Sequence, residues 1–379
     1  MTPKFNQVLE PNPEHMQISE VIGHLNQWAP PAYQESYDNS RLIVGDAHTA
    51  ITGILISLDC TEAVVEEAIT KGCNLIVSHH PIVFSGLKSL TGKNYVERTV
   101  IKAIKNDIAL FSIHTNLDNV HTGVNKKICD LIGLNQTRIL APKSGLLTKL
   151  TSFVPLDHRE AVLQALYLAG AGSIGNYDQC SFTVEGTGTF RPNASANPYS
   201  GQAGEVSTAA ESRIEVLLPR HLQSQIVRAL QKSHPYEEVA YYLTELSNTH
   251  QEVGSGMIGQ LTEPMSSTAF LQHLKDTFHL SVIKHTAIHR DQIQKIAVCG
   301  GAGSFLLRSA KSAGADVFVT GDFKYHEFFD AEDSILIADI GHYESEVFTK
   351  ELIYDFLIEK LGNIALNFSE ENTNPVKYF

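Results

Sequence analysis

The chain has 379 residues, of which 29 are basic and 42 are acidic, so its formal net charge is −13. At about 150 residues per domain, this length predicts two or more domains. The acidic excess disfavours a nucleic-acid partner. Five cysteines without a C-x-x-C pair predict neither a disulfide framework nor a thiolate zinc site, which fits a reducing cytoplasm.

The N-terminal stretch has neither the basic nor the apolar region of a signal peptide. No apolar run approaches the roughly 18 residues of a membrane span. We therefore expect a cytoplasmic protein without a membrane partner. The chain also contains 17 histidines, and because histidine is the commonest metal ligand, their positions guide the search for a site.

The first third of the chain predicts helices that alternate with strands. An amphipathic helix from Ile18 to Trp28 ends before Pro30 and Pro31, which cannot continue a helix. The elements predicted after it are a strand over 51–58, a helix over 61–71, a strand over 74–78, a helix over 95–105 and a strand over 108–113. Such alternation favours a parallel sheet covered by helices.

The middle of the chain has a different pattern. Its predicted elements are a strand over 150–154, a helix over 158–169, strands over 180–185 and 213–218, a helix over 222–232 and a strand over 239–244. This order indicates an α+β ferredoxin-like unit. We predict that it is an inserted domain over residues 146–249, within a discontinuous α/β domain over residues 1–145 and 250–379.

The alternation returns after the insert. It predicts strands over 295–299, 316–320 and 334–340, and helices over 304–313, 324–331 and 344–361. The predicted fold class is therefore α/β, with a parallel-type sheet layered by helices.

Histidines and carboxylates follow three of the predicted strands. They are His79 and His80 after the strand over 74–78, Asp118 beyond the strand over 108–113, and His342 with Glu346 after the strand over 334–340. Ligands collect at the carboxyl ends of strands in open α/β sheets. Each motif alone fits a simple turn or cap, but the three together predict one metal site.

Five ligands that include three imidazoles suit two divalent ions bridged by a carboxylate and by water or hydroxide. The donor set fits Zn, Mn, Fe, Co or Ni and does not select among them. His114 and His326 also follow strands and are candidate catalytic groups for proton transfer. The structural alternatives are a strand-end hydrogen bond for His114 and helix N-terminal packing for His326.

Residues 300–303 (GGAG) link a strand to a helix and offer backbone N–H groups that suit a phosphate. Leu306 stands where the G-x-G-x-x-G motif requires its last glycine, so a Rossmann dinucleotide site has only half of its motif. A tight turn is an equally good interpretation of this segment.

Six motifs in this order resemble the Nif-three-like dinuclear metal proteins, known in bacteria as GTP cyclohydrolase 1 type 2 homologues. They are APP at 29–31, SHHP at 78–81, HTNLD at 114–118, GGAG at 300–303, GD with YH at 321–326, and GH at 341–342 with Glu346. The resemblance implies that His79, His80, Asp118, His342 and Glu346 are the metal ligands. It also implies a toroidal homohexamer and a middle domain like the PII and CutA folds, with HPYEE at 234–238 near its end.

The activity that the resemblance implies is hydrolytic opening of the imidazole ring of GTP, in which a metal hydroxide attacks C8 and formate leaves. The same site suits a two-metal phosphoesterase or amidohydrolase, and the sequence does not specify guanine. A non-catalytic metal-binding or regulatory scaffold is the alternative from another class. The expected partners are a small-molecule substrate, such as GTP or another nucleotide, and further copies of the chain.

Overall fold

The structure is a computed structural model that describes residues 16–362 and 364–379. The N-terminal stretch examined for a signal peptide lies outside the described residues, except for Met16. The chain divides into two compact units. Pro142–Glu252 forms the second unit, and the described residues on both sides of it form the first.

The first sheet of the first unit contains mostly parallel strands. Numbered in chain order, they are β1 (Leu42–Val44), β2 (Ile54–Ser57), β3 (Leu75–Ser78), β4 (Ala109–Ser112) and β15 (Leu366–Phe368). Their order in the sheet is β1-β4-β3-β2-β15, and only β1 runs antiparallel to its neighbour. Every residue of β2, β3 and β4 is buried, as expected for parallel strands covered on both faces.

The second sheet of this unit has six strands. They are β5 (Asn135–Ser144), β10 (Thr249–Ser266), β11 (Lys284–His285), β12 (Gln292–Ala302), β13 (Val317–Gly321) and β14 (Leu336–Asp339). The order is β11-β14-β13-β12-β10-β5. The central strands β12, β13 and β14 are parallel, whereas β10 and β11 pair antiparallel with their neighbours.

Helices connect the strands of both sheets. They are α1 (Ile18–Trp28), α2 (Glu62–Thr70), α3 (Tyr95–Lys105), α4 (Thr115–Asp118), α5 (Val124–Ile132), α8 (Ser267–Phe278), α9 (Leu307–Ser312), α10 (His342–Glu346) and α11 (Thr349–Leu361). Thr61 caps α2 by accepting a hydrogen bond from the Val64 amide. The buried Val64 and Val65 of α2 pack with Ile76 and Leu110 of the first sheet.

The α/β class is confirmed, but the predicted sheet arrangement is corrected. Two mixed sheets replace one parallel-type sheet, because strand direction is set by tertiary pairing, which hydrophobic periodicity does not encode. The helix predicted over 324–331 is a 3-10 helix (Tyr325–Ala331), and the one over 344–361 is divided into α10 and α11. The sequence also missed β10, whose three glycines and one proline are types depleted in strands.

The second unit is a four-stranded antiparallel sheet with two helices. Its elements are β6 (Leu147–Pro155), α6 (Arg159–Leu168), β7 (Ser181–Phe190), β8 (Ser207–Pro219), α7 (Gln223–Ser233) and β9 (Tyr241–Leu246). The strands lie in the order β7-β8-β6-β9. Buried residues of β6 and β8 form one core with Val162 and Leu166 of α6 and with Ile226 and Leu230 of α7.

Across residues 16–362 and 364–379, every helix is too short or too polar to cross a membrane.

Candidate metal centre

His79 and His80 directly follow β3. His79 is completely buried, and its Nδ1 lies 2.8 Å from the carbonyl oxygen of Ile113. His80 Nδ1 lies 2.8 Å from Oδ1 of Asp59, and its Nε2 lies 3.0 Å from Oε2 of Glu346. Both rings are therefore held at Nδ1, which leaves Nε2 as the metal-binding atom.

His114 and Asp118 come from the segment that follows β4. His114 Nδ1 lies 2.8 Å from Oδ1 of Asp38, and its ring centroid is 5.3 Å from those of His79 and His80. Asp118 ends the short helix α4 and places Oδ1 3.5 Å from Nε2 of His79. The segment thus contributes an imidazole and a carboxylate to the same cluster.

His342 and Glu346 lie one turn apart on α10, after β14. His342 Nδ1 lies 2.7 Å from Oδ2 of Asp322, and its Nε2 lies 3.1 Å from Oε2 of Glu346. Glu346 is buried, and its Oε1 lies 3.9 Å from Nε2 of His79. The two ends of the chain therefore meet at this carboxylate.

All four imidazoles share one hydrogen-bonding pattern. In each ring Nδ1 lies next to an oxygen acceptor, which is a backbone carbonyl for His79 and a carboxylate for His80, His114 and His342. Metal-ligating histidines usually donate their second ring N–H to such an acceptor, which fixes the tautomer and the ring orientation. The pattern is thus the one expected of rings prepared to bind metal.

Two buried atoms in the cluster have no hydrogen-bond partner among the described residues: Nε2 of His79 and Oδ1 of Asp118. Because an unpaired buried polar atom is costly, these atoms point to a missing common partner. Three overlapping groups of potential ligands lie here: His79, His80 and His114; His80, His342 and Glu346; and His79, Asp118 and Glu346. A divalent cation fits this donor set, since it would satisfy both unpaired atoms.

The charges around the cluster also favour a bound cation. Burial and the Glu346 carboxylate raise the pKa of Asp118. Burial opposes the charged form of His80, yet the carboxylates of Asp59 and Glu346 raise its pKa to about 10. Burial likewise opposes the charged form of His342, whose pKa is raised to about 9 by Glu346 and Asp322. The carboxylates of this cluster thus favour positive charge beside them, which a divalent cation would supply.

The glycines of residues 300–303 allow close packing rather than phosphate binding. The Gly301 amide donates to Oγ of Ser345, and the Gly300 amide donates to Oδ1 of Asn125. Gly301 has φ of +61°, and a Cβ there would lie 2.5 Å from Oε1 of Glu346. Residues 300–302 are the irregular end of β12 rather than a tight turn, and the absence of a side chain at Gly301 makes room for the Glu346 carboxylate.

Every residue of the cluster except the fully buried His79 lines a cavity of about 410 Å³ in the first unit. Three aromatic side chains that are half or more exposed, Tyr37, Phe84 and Phe305, line the same cavity. The Phe84 ring lies 6.1 Å from that of Tyr37 and 6.2 Å from that of His114. These rings give a planar group surfaces to stack on beside the metal-binding groups. The described lining residues include no Lys or Arg.

The structure brings His79, His80, His114, Asp118, His342 and Glu346 together. His326 differs: it is exposed, its ring contacts are with Tyr325 and Phe329, and it is not among the residues that line the cavity.

Sequence reasoning assigned no role to the three aspartates that hold the imidazoles, although Asp322 lies in the GD motif at 321–322. Asp59 and Asp322 each follow a strand, the same signal that identified the ligands. Asp38 lies outside the helices and strands and carried no such signal.

Known proteins resemble the chain over nearly its whole length. The model of the Duf34/NIF3 family (NGG1p interacting factor 3) matches residues 16–375. Proteins named GTP cyclohydrolase 1 type 2 homolog match from Halalkalibacterium halodurans, with 38% identity over 94% of this chain and 98% of that protein, and from Bacillus subtilis, with 35% identity over 95% and 98%. A crystal structure of a Bacillus cereus protein related to NIF3 superposes with a TM-score of 0.85 at 36% identity, over 96% of this chain and all of that one.

Proposed function

The chain belongs to the DUF34/NIF3 family, and we propose that it is a dinuclear-metal hydrolase acting on a nucleotide. The observation that carries this proposal is the set of four imidazoles held at Nδ1 around two unpaired buried atoms, Nε2 of His79 and Oδ1 of Asp118. Rings oriented in advance suit metal binding better than a structural hydrogen-bond network, which would leave no such atoms unpaired.

We assign the two metal ions to His79, His80, Asp118, His342 and Glu346. Glu346 belongs to two of the three ligand groups, with Oε1 nearest His79 and Oε2 near His80 and His342. A carboxylate whose oxygens face different imidazoles suits a bridge between two ions. Imidazole and carboxylate donors are compatible with Zn, Mn, Fe, Co or Ni.

The bound ions would supply Lewis acidity and water activation at neutral pH. The chain's own residues perform the remaining tasks. Asp59 and Asp322 orient His80 and His342 through hydrogen bonds to Nδ1. His114 is our first candidate for proton transfer, because Asp38 fixes its Nδ1 and leaves Nε2 available beside the cluster. His326, which is exposed on the 3-10 helix Tyr325–Ala331, is the second candidate.

We propose GTP, or a related nucleotide, as the substrate. Relatives over nearly the whole chain carry the name GTP cyclohydrolase 1 type 2 homolog, and exposed Tyr37, Phe84 and Phe305 beside the ligands suit stacking on a nucleobase. In the reaction, water attacks C8 of the guanine, the imidazole ring opens to a formamide, and a second water releases formate.

Incubation of the metal-loaded chain with GTP tests this proposal. We expect formate to appear, measured with a coupled formate dehydrogenase assay, and to be lost in the Asp118→Ala variant. His114→Ala should slow formate release more than His326→Ala if His114 transfers the proton. Inorganic phosphate without formate would instead identify a two-metal phosphoesterase, and ammonia without formate an amidohydrolase.

A non-catalytic metal-binding or regulatory scaffold is the second candidate function. It is favoured by a cavity of about 690 Å³ in the second unit, whose lining includes none of the grouped metal-ligand residues. No turnover of GTP or of a panel of phosphoesters and amides by fully metal-loaded protein would support it, and turnover that depends on the five ligands would exclude it.

We also propose that residues 146–249 form an inserted ferredoxin-like domain of the PII and CutA type and that the chain assembles as a homohexamer in the cytoplasm. The strand order β7-β8-β6-β9 with two intervening helices supports the ferredoxin-like assignment. Light scattering coupled to gel filtration should give six times the chain mass of 41.7 kDa, and a monomer would contradict the assembly.

A further inference from the structure

A second cavity, of about 690 Å³, lies in the second unit, and the proposed hydrolase has no use for it. Its walls are formed by β7, by the loop of residues 191–206 and by the segment of residues 234–240 that contains the HPYEE motif. Glu211 and Arg213 of β8 line it from the sheet face opposite to Ile214 and Val216, which pack against the helices.

Glu211 is the most informative residue of this cavity because it is a buried carboxylate without a cation. Its exposed fraction is 8%, and its Oε1 accepts a hydrogen bond from the Tyr236 hydroxyl at 2.8 Å. Among the described residues it forms no ion pair. Burying a carboxylate in this way is costly unless a positive group compensates for it.

Gly188 and Tyr236 both bear on the position of the Glu211 side chain. A Cβ at Gly188 on the neighbouring strand β7 would collide with Oε2 of Glu211, so the glycine leaves space for the carboxylate in its present position. Burial and the Glu211 carboxylate raise the pKa of Tyr236, which keeps its hydroxyl a donor to that carboxylate. The surrounding residues thus hold the carboxylate at the cavity wall.

Aromatic rings line the cavity beside Glu211. The rings of Tyr199 and Tyr236 lie 5.8 Å apart at 45°, and those of Phe153 and Tyr242 lie 5.9 Å apart. Tyr199 belongs to the 191–206 loop, which a hydrogen bond of 2.8 Å from the Asn197 amide to Glu237 ties to the HPYEE segment. Aromatic faces next to a carboxylate attract cations.

The charges of the lining residues also favour a bound cation. Four carboxylates line the cavity, from Glu185, Glu211, Glu237 and Glu238, against the guanidinium groups of Arg191 and Arg213. Arg213 is already paired with Glu215 at 2.5 Å. The groups of metal-ligating side chains found in the described part of the chain all lie in the first unit, so an organic cation fits this cavity better than a metal ion.

We propose that this cavity binds a small organic cation, an amine or a guanidinium compound, whose charged group pairs with Glu211 and whose carbon chain lies against Tyr199 and Tyr236. The site shares no lining residue with the cavity of the metal centre and gives the second unit a ligand of its own.

Calorimetric titration of the full chain with agmatine, which carries an ammonium and a guanidinium group, tests the proposal. We expect agmatine to bind and 1-butanol, an uncharged molecule of similar carbon length, not to bind. Glu211→Gln keeps the size and the acceptor for Tyr236 but removes the charge, so binding should weaken at least tenfold. Glu245→Gln, which alters a carboxylate of β9 that does not line the cavity, is the matched control and should bind as the wild type does.

Tyr199→Ala provides a second variant, on a loop rather than in the sheet, and should weaken agmatine binding several-fold while the metal content stays unchanged. If Glu211→Gln fails to fold, as judged by circular dichroism, the agmatine affinity of Tyr199→Ala tests the proposal by itself. The proposal is overturned if agmatine fails to bind at about 10 mM, a concentration at which even a weak specific site is occupied. Binding that is equally tight in the Glu211→Gln or Tyr199→Ala variant would overturn it as well.

Discussion

Removal of the Asp59 carboxylate should weaken metal binding although Asp59 is not a proposed ligand. Its Oδ1 lies 2.8 Å from Nδ1 of His80, and its Oδ2 accepts a hydrogen bond from Thr373 at 2.6 Å. In Asp59→Ala the His80 ring loses the acceptor that fixes its orientation and tautomer. Losses of this kind cost about 10- to 100-fold in metal affinity, which corresponds to about 1.4–2.7 kcal/mol.

The assay is a competition for Zn²⁺ between the protein and a chromophoric chelator, followed for the wild type and each variant. Thr373→Val is the matched control, because it removes the other hydrogen bond of Asp59 and leaves the bond to His80 in place. We expect wild-type affinity for Thr373→Val and a 10- to 100-fold loss for Asp59→Ala. A folded Asp59→Ala protein with wild-type affinity for both ions would refute the view that this hydrogen bond prepares His80 for metal.

Two further predictions concern packing. Gly301→Ala should reduce the metal content, because Gly301 has a φ of +61° and the added Cβ would lie 2.5 Å from Oε1 of Glu346. Elemental analysis measures the metal content, and an unchanged content would contradict the prediction. Phe318→Ala should lower the free energy of unfolding by about 3–5 kcal/mol, since Phe318 is fully buried. Phe329 is exposed, so Phe329→Ala should change the free energy of unfolding by less than about 0.5 kcal/mol. Urea denaturation measures both variants, and equal losses of stability would show that the assigned core is wrong.

Local sequence signals predicted the elements that build the centre. The range of α3, Tyr95–Lys105, was predicted correctly, because its amphipathic pattern agrees with its burial in the fold. The strands that precede His79, His114 and His342 were also predicted, since buried parallel strands are continuous apolar runs. Ligands placed directly after such strands could therefore be found from the sequence.

The rest of the centre depends on contacts between distant segments. Asp38 meets His114 across 76 positions of the chain, and no periodicity encodes such a pair. The role of Gly301 depends on the Glu346 carboxylate beside it, 45 positions further along the chain, so no local signal indicates it. His326 also follows a strand, but the 3-10 helix that begins at Tyr325 leaves its side chain exposed, and its role in proton transfer stays a prediction.

Metal stoichiometry tests the central claim most directly. The full chain is reconstituted with Zn²⁺ or Mn²⁺, freed of excess ions by gel filtration and measured by elemental analysis, next to folded Asp118→Ala and Glu346→Gln variants. The account predicts two ions per wild-type chain, at most one in Asp118→Ala, and a deficit in Glu346→Gln, whose carboxylate is assigned to both ions. A wild-type chain that retains no metal, or an Asp118→Ala chain that keeps two ions, would contradict it.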